Sequence, residues 1–317
     1  MTAPERAQPG VKAIGRGRRR LADRAFAWLC RIAGAFAVVV LAVLVSAIVI
    51  RGVEYLDWDF LTSPPHVFDA EQAGFKPAIL GSVWLCAIVI VVGVPVGVGA
   101  AIYLHEFAPR SRVTRIIQLN ISNLAGVPSV VYGLIGLATF VGFWNHFGGE
   151  DPRYNLLGGL LGIPFGRTVL SGGLTLTLLV LPVIIIASQE ALRAVPDSQR
   201  EAARALGATP WQTVRRAVFP VALPGMMTGA ILALSRAIGE TAPILVAGAA
   251  VIHFSSPDSL MDQYTAMPAV IYNWADQPNQ EFQSVAASGI LVLLVVLLVF
   301  NSAAILIRAQ AQRRLTP

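Results

Sequence analysis

Residues 193–225 read RAVPDSQREAARALGATPWQTVRRAVFPVALPG, and this pattern predicts two short helices joined by a glycine. Ser198 followed three residues later by Glu201 matches a capping box, which satisfies otherwise unpaired N–H groups at a helix start. A first helix is therefore expected over residues 199–206. It should end at Gly207, because glycine readily adopts the left-handed conformation past a helix end.

A second helix is predicted to begin directly after that glycine. Thr209 is a suitable N-cap, Pro210 suits the first helical position, and Gln212 stands three residues beyond the cap. Pro220 and Pro224 are expected to interrupt the chain before the next apolar segment. Residues 193–220, called the 193–220 loop below, therefore form a compact helix–glycine–helix unit.

The first of these helices carries a small apolar face formed by Ala202, Ala203 and Leu206. A small face suits insertion into a cleft of a partner protein. A stretch that lies on lipid headgroups would favour bulky tryptophan, phenylalanine and leucine instead. On these residues alone, the partner and the lipid surface remain alternatives.

Composition places the chain in a membrane. Of 317 residues, 55% are hydrophobic and 13% are charged, whereas soluble domains carry about 25% charged residues. Six segments reach the ~20 residues that cross a ~30 Å hydrocarbon core. The predicted spans are residues 26–50, 77–104, 116–143, 169–190, 225–250 and 284–307.

The distribution of basic residues predicts the orientation of these spans. Nineteen of the 24 Lys and Arg fall on one side and four on the other, with Arg236 between them. The positive-inside rule then puts both termini in the cytoplasm, with a basic tail at residues 1–25 and a short tail at 308–317. The basic tail should fix topology and meet anionic membrane lipid, with a protein-binding role as the alternative. Topology explains the basic pI, so no nucleic-acid partner is required.

Signs of enzyme chemistry are missing from the sequence. Lys12 precedes alanine and Lys76 precedes proline, so neither lysine belongs to a P-loop. The four histidines lack the spacing of metal ligands, and the two cysteines lie in separate apolar spans. We therefore expect no catalytic residues, no metal site and no cofactor.

The stretch SRAIGETAP at residues 235–243 places two charges in an apolar segment. Counted from Gly225 at ~1.5 Å per residue, Arg236 lies about 16 Å into the membrane, near its middle. A charge there costs ~2.5–3.5 kcal/mol, so it should face the bundle interior or water. Arg236 and Glu240 could simply neutralise each other on one helix face. Alternatively, Arg236 offers a planar fork to a passing oxyanion while Glu240 holds the guanidinium in place.

The backbone near these charges is predicted to break. Pro243 cannot donate to the carbonyl of Gly239, so with Thr241 beside it the helix should open at Glu240. Broken helices at mid-membrane are where transporters place substrates, which adds Thr241 to the candidate anion pathway. Ser129 and Tyr132 in the third span are possible pore-lining residues, although helix packing is an equally good explanation. The motifs GVPVG at 93–97 and GMMTG at 225–229 predict close helix contacts.

The segment EAARALGATPWQTVRRAVFP resembles the EAA loop of ABC importer permeases. Glu201, Ala202, Ala203, Gly207 and Pro220 match that pattern, whereas Ala217 and Phe219 replace its isoleucine and leucine. In that family the loop forms a coupling helix that docks in a groove of the cytoplasmic ATPase. The resemblance therefore favours the partner over the lipid surface, with Glu201, Ala202, Ala203, Leu206 and Gly207 as the ATPase-coupling residues.

Three further segments resemble phosphate-specific ABC permeases: NLAGVPSVVYGLIGL (123–137), ALSRAIGETAPIL (233–245) and PAVIYNWADQPNQEF (268–282). The third favours the PstA type over the PstC type. The likeness covers roughly residues 75–305.

This resemblance implies an all-α integral membrane protein with six transmembrane helices and the type I ABC importer permease fold. The first helix, 26–50, would precede a core permease domain at 75–307. The implied function is phosphate import across the bacterial cytoplasmic membrane. The implied partners are a PstC-type permease, a PstB-type ATPase dimer and a PstS-type phosphate-binding protein. A PstC-type paralogue, a permease for another oxyanion and a secondary transporter are the alternatives.

Overall fold

The computed structural model describes residues 16–66, 68–143, 166–249 and 254–315, and within these ranges the regular elements are all helices. Three predicted segments extend beyond them. Residues 1–15 of the basic tail, residue 250 of the fifth span and residues 316–317 of the second tail lie outside the described residues.

The described helices are numbered in chain order. They are α1 Arg16–Gly52, α2 Trp58–Thr62, α3 Lys76–Phe107, α4 Arg112–Leu124, α5 Ser129–Gly142, α6 Val169–Arg193, α7 Asp197–Ala205, α8 Pro210–Gly239, α9 Ala242–Ile244, α10 Met267–Ala275 and α11 Gln280–Leu315. A π-helical segment, Leu245–Ala249, directly follows α9. Five of them, α1, α3, α6, α8 and α11, are long and apolar enough to cross a membrane. The chain divides into a unit of residues 1–50, which contains most of α1, and a unit of residues 51–317.

Helix α6 forms the centre of the larger unit. It is buried on most of its circumference and packs against α3, α4, α5 and α8. A helix that is apolar nearly all round is expected to be enclosed by other helices. The close helix contacts predicted at the two glycine-rich motifs are confirmed here. An added Cβ would come within 2.6 Å of Ile184 at Gly97 and within 2.8 Å of Ala191 at Gly225.

The third predicted span, 116–143, is not one straight helix. Helices α4 and α5 meet at an angle of 108°, so together they form either a broken span or a re-entrant segment. The bend lies just before Pro128, which disfavours helical backbone at the preceding residue. The Tyr132 hydroxyl donates to the carbonyl oxygen of Leu124 at 2.8 Å, which joins the two helices across the bend. The predicted third span is therefore a bent pair of helices.

The expected interruption before the fifth span is also wrong. Helix α8 begins at Pro210 and runs without a break past Pro220 and Pro224 to Gly239. A π-helical turn, Val214–Val218, precedes Pro220, and the N–H of Phe219 donates to Val214, five residues back. The wider turn gives the proline ring room that a regular α-helix would deny it.

Helix α3 contains the same arrangement. Its π-helical turn Val89–Gly93 precedes Pro95, and the N–H of Val94 donates to the carbonyl of Val89. Both long helices thus pass a proline without ending.

A close backbone contact between α5 and α9 generates a testable prediction. An added Cβ at Gly133 would lie 2.7 Å from Pro243 Cα and 3.1 Å from its carbonyl oxygen. Because backbone atoms cannot rotate away, Gly133→Ala should destabilise the protein by about 1–3 kcal/mol. The thermal unfolding midpoint of the purified protein should fall.

Gly99→Ala is the matched control, since Gly99 is also helical but has no atom within 4 Å of an added Cβ. Alanine is the better helix former, so this variant should be neutral or slightly stabilising. Equal midpoints for both variants would contradict the packing of α5 on α9.

Candidate functional site

The first helix of the 193–220 loop begins earlier than predicted. Helix α7 covers Asp197–Ala205, its N-cap is Pro196, and no side chain caps it. The capping box predicted from Ser198 and Glu201 is therefore wrong. Asp197 instead lies in the first turn, where a negative charge interacts favourably with the helix dipole. It also forms an ion pair with Arg200.

The turn after α7 confirms the prediction for Gly207. This glycine has φ +80°, which is left-handed backbone. Among the described residues, no other has left-handed backbone. The N–H of Gly207 donates to Arg204, and the N–H of Ala208 donates to Ala203. These two bonds form a Schellman motif, which requires a left-handed residue at the position of Gly207.

The second helix of the loop starts as predicted. Thr209 accepts from the N–H of Gln212 at 3.3 Å, and the Gln212 side chain accepts from the N–H of Thr209 at 3.0 Å. This reciprocal capping box fixes the start of α8 at Pro210.

Most of the predicted coupling residues lie on the surface of the chain. Glu201, Ala202 and Gly207 are exposed, and Ala203 is half-buried. Leu206 is 90% exposed, and Trp211, which the sequence analysis did not single out, is 58% exposed. An exposed apolar face is thus present, and its geometry alone is compatible with a protein partner or a lipid surface.

Arg200 is a buried anchor that the sequence analysis missed. Its Nη2 donates to Glu106 Oε1 at 2.8 Å and to the Leu192 carbonyl at 2.9 Å, while Nη1 donates to the Val195 carbonyl at 2.8 Å. Hydrogen bonding to Glu106 raises the pKa of Arg200, although burial opposes this shift. The spacing of Asp197 and Arg200 was visible in the sequence, but the 94-residue separation from Glu106 gave no signal.

The two charges of the 235–243 stretch form an ion pair. Arg236 Nε lies 2.9 Å from Glu240 Oε1, and the side chains are 44% and 16% exposed, respectively. Among the described residues, the side chain of Arg236 donates one hydrogen bond, from Nε to Glu240. Its two terminal nitrogens have no acceptor among these residues. The arrangement can hold the guanidinium through one edge while its fork remains available.

The predicted helix break at Glu240 is confirmed. Helix α8 ends at Gly239, Glu240 has extended backbone, and Pro243 lies in the first turn of α9. Arg236 therefore lies in the last turn of α8, where a positive charge interacts favourably with the helix dipole. Helix α8 begins at Pro210, so Gly225, from which the depth of Arg236 was counted, lies inside this helix rather than at its start.

The remaining candidates lie on segments that meet near this break. Thr241 is half-buried and immediately precedes α9, and Ser129 is half-buried at the start of α5. Tyr132 is 5% exposed and its hydroxyl is bonded to Leu124, which gives it a packing role. Gly133, the next residue, faces Pro243, so the structure brings α5 to the break.

Polar contacts between α8 and α11 were not predicted. Ser235, next to Arg236, contacts the side-chain amide oxygen of Asn301. Further along the same helix pair, Arg308 Nη1 donates to Thr228 Oγ1 at 2.7 Å. These contacts join one face of α8 to α11.

An acidic residue of the segment before α10 has a structural partner as well. The carboxylate of Asp262 accepts from the N–H of Asp258 at 2.9 Å and of Ser259 at 2.8 Å, and these bonds lower its pKa. Its carbonyl accepts from Val169 at the start of α6. Over the described ranges, no three His, Cys, Asp or Glu are arranged to hold a metal ion.

Comparisons with known proteins agree on one family. The model for "binding-protein-dependent transport system inner membrane component" matches residues 93–315. The probable ABC transporter permease protein YqgI of Bacillus subtilis is 31% identical over 312 residues, covering 94% of this chain and 99% of the relative. The phosphate transport system permease protein PstA of Xylella fastidiosa is 31% identical over 286 residues, covering 90% and 91%. The fold matches that of a bacterial alginate ABC transporter chain with TM-score 0.63 at 15% identity, covering 92% and 96%.

The conformation of Gly207 generates a prediction for the 193–220 loop. Gly207→Val forces a β-branched residue into the left-handed region, although the space around an added Cβ is open. The Schellman bonds should therefore open more often, and the amides of Gly207 and Ala208 should exchange hydrogen about tenfold faster, as expected from a cost of ~1–2 kcal/mol. Hydrogen exchange of the purified protein measures this.

Gly207→Asn is the control, because asparagine adopts left-handed backbone at lower cost than valine. Its amides should exchange at nearly the original rate. Equal acceleration in the two variants would show that the loop does not depend on the left-handed turn.

Proposed function

This chain belongs to the family of binding-protein-dependent transport system inner membrane components, and from that premise we propose that it is a transmembrane permease subunit of an ATP-driven phosphate importer. The proposal that phosphate is the substrate rests on one observation. The chain is similar to a phosphate transport permease along nearly the whole length of both proteins. The membrane is the bacterial cytoplasmic membrane. The chain itself provides the route, and a separate ATPase hydrolyses ATP.

The proposed route for the anion passes Arg236, Glu240 and Thr241. The contact between Arg236 Nε and Glu240 leaves the two terminal nitrogens for a bidentate bond to an oxyanion. The broken backbone beside this pair supplies polar groups that an intact helix would satisfy internally. Glu240 reduces the net positive charge, so a bound anion can also leave. Ser129 and Tyr132, on the segment that packs against the break, are the proposed neighbours of this route.

The 193–220 loop is proposed to face the cytoplasm and to dock on the ATPase. Glu201, Ala202, Ala203 and Leu206 form the docking face, and Gly207 maintains its shape. The largely exposed Leu206 supports this assignment, because an apolar side chain in water gains free energy when a protein groove covers it. Both termini then lie in the cytoplasm, and the core permease domain is residues 75–307.

A complete importer requires three kinds of partner. A PstC-type permease supplies the other half of the pathway, since one chain contributes a single Arg–Glu pair. A PstB-type ATPase dimer binds the loops, and a PstS-type protein delivers phosphate from outside. The alternatives are that this chain takes the PstC-type place, that the complex carries another oxyanion, or that a secondary transporter runs on an ion gradient.

Uptake in reconstituted vesicles tests the function. The chain, together with its permease partner, the ATPase and the binding protein, should take up radiolabelled phosphate only when ATP is present inside. Omission of the second permease should abolish uptake. Robust uptake without that permease would indicate a homodimer, and uptake driven by an ion gradient without ATP would refute the importer.

Substitution of the ion pair tests the anion route. Arg236→Lys keeps the charge but loses the fork, so uptake per assembled complex should fall partly, whereas Arg236→Gln should abolish it. Glu240→Gln should also impair uptake, because the arginine loses its orientation.

The double variant Arg236→Gln with Glu240→Gln separates transport from structure. It removes both charges together, so a pair that served only stability would leave an active carrier. We expect a complex that assembles but carries no phosphate. Near-normal uptake would refute a role for this pair in the anion route.

A further inference from the structure

The 193–220 loop is joined by the backbone to only two of the long helices. Helix α7 follows α6 within a few residues, and α8 starts a few residues after α7 ends. Helix α3 ends at Phe107, far from the loop in sequence, so only side-chain contacts can link it to the loop. Two such contacts are present.

The first contact is the buried ion pair between α7 and α3. Arg200 Nη2 lies 2.8 Å from Glu106 Oε1, and the side chains are only 11% and 8% exposed. Nη2 also donates to the carbonyl of Leu192 in the last turn of α6, and Nη1 donates to the carbonyl of Val195, two residues past the end of α6. One guanidinium therefore holds the ends of α3 and α6 to the same turn of α7.

The second contact lies on the next residue of α3. The ring of Phe107 packs against the ring of Trp211 in the first turn of α8, with centroids 6.4 Å apart. Consecutive residues of α3, Glu106 and Phe107, thus contact the helices on either side of Gly207. The end of α3 is held at two points of the loop.

From this geometry we infer that Arg200 and Glu106 are positioning residues that transmit displacement of the 193–220 loop to α3. The inference rests on the proposed function of the loop as the contact with the ATPase. A buried guanidinium with several acceptors of fixed direction resists both translation and rotation of α7. When the ATPase moves α7, α3 must move with it, although no backbone segment joins α3 to the loop.

Loss of the Arg200–Glu106 contact should uncouple ATP hydrolysis from phosphate uptake. Glu106→Gln removes the charge that faces Arg200 but keeps the shape of the side chain. In the complete reconstituted complex, ATP should still be hydrolysed, while phosphate uptake per ATP should fall about threefold or more, within the range seen for residues that transmit coupling. A pair that only stabilises the fold would lower the amount of assembled complex and leave this ratio unchanged.

The matched control is Glu190→Gln. Glu190 pairs with Arg193 at 2.8 Å near the end of α6, but its side chain is 62% exposed. Exposed ion pairs contribute little to stability, and both members of this pair lie on α6. Phosphate uptake per ATP should therefore equal that of the parent.

A second variant keeps the test decisive if Glu106→Gln does not assemble. Arg200→Lys retains a charge opposite Glu106, but a single ammonium cannot also reach the carbonyls of both Leu192 and Val195. Phosphate uptake per ATP should be lower for Arg200→Lys than for the parent. If Glu106→Gln also assembles, its uptake per ATP should be lower still. A parent complex that carries no phosphate refutes the proposed function. A transporting parent whose ratio is unchanged in the assembled variants refutes the inference alone.

Discussion

Within a lipid core, every backbone N–H and C=O must find its partner inside the protein, and this constraint governs the long helices of this chain. Proline removes a donor and crowds the preceding turn. At Pro95 and at Pro220 the preceding turn widens to a π-helical hydrogen bond, so α3 and α8 continue. At Glu240, by contrast, α8 ends, and Pro243 starts a new short helix. Pro182 and Pro224 also lie inside continuous helices, without a π-helical turn directly before them, so proline alone does not decide where a helix ends.

Local patterns predicted the features that depend on a few consecutive residues. The left-handed turn at Gly207, the capping box of Thr209 and Gln212, and the end of α8 before Glu240 all follow from backbone chemistry within four residues. The fold class followed from composition, span count and family resemblance. The site residues combine a local pattern, as in the i, i+4 spacing of Arg236 and Glu240, with an orientation that only packing decides.

The predictions failed where distant residues decide the outcome. The capping box predicted at Ser198 is absent, and the helix begins at Asp197, which pairs with Arg200. Arg200 also binds Glu106 of another helix, a contact that local patterns do not reveal. The bend between α4 and α5 lies just before Pro128, but apolar periodicity does not reveal its angle of 108°. The continuation past Pro220 required a π-helical turn, for which hydrophobic patterns give no signal.

One link between two helices of this protein is formed by neutral amide side chains. Gln118 of α4 and Gln189 of α6 exchange a pair of side-chain hydrogen bonds, at 2.8 and 2.9 Å. Neither amide titrates or carries net charge, so membrane potential exerts no net force on this link and changes of pH do not open it. Each bond also aligns the amide for the other, so the two tend to form and break together. The joint between α4 and α6 thus does not depend on the protonation state of its members, unlike the ion pair of Arg200 and Glu106.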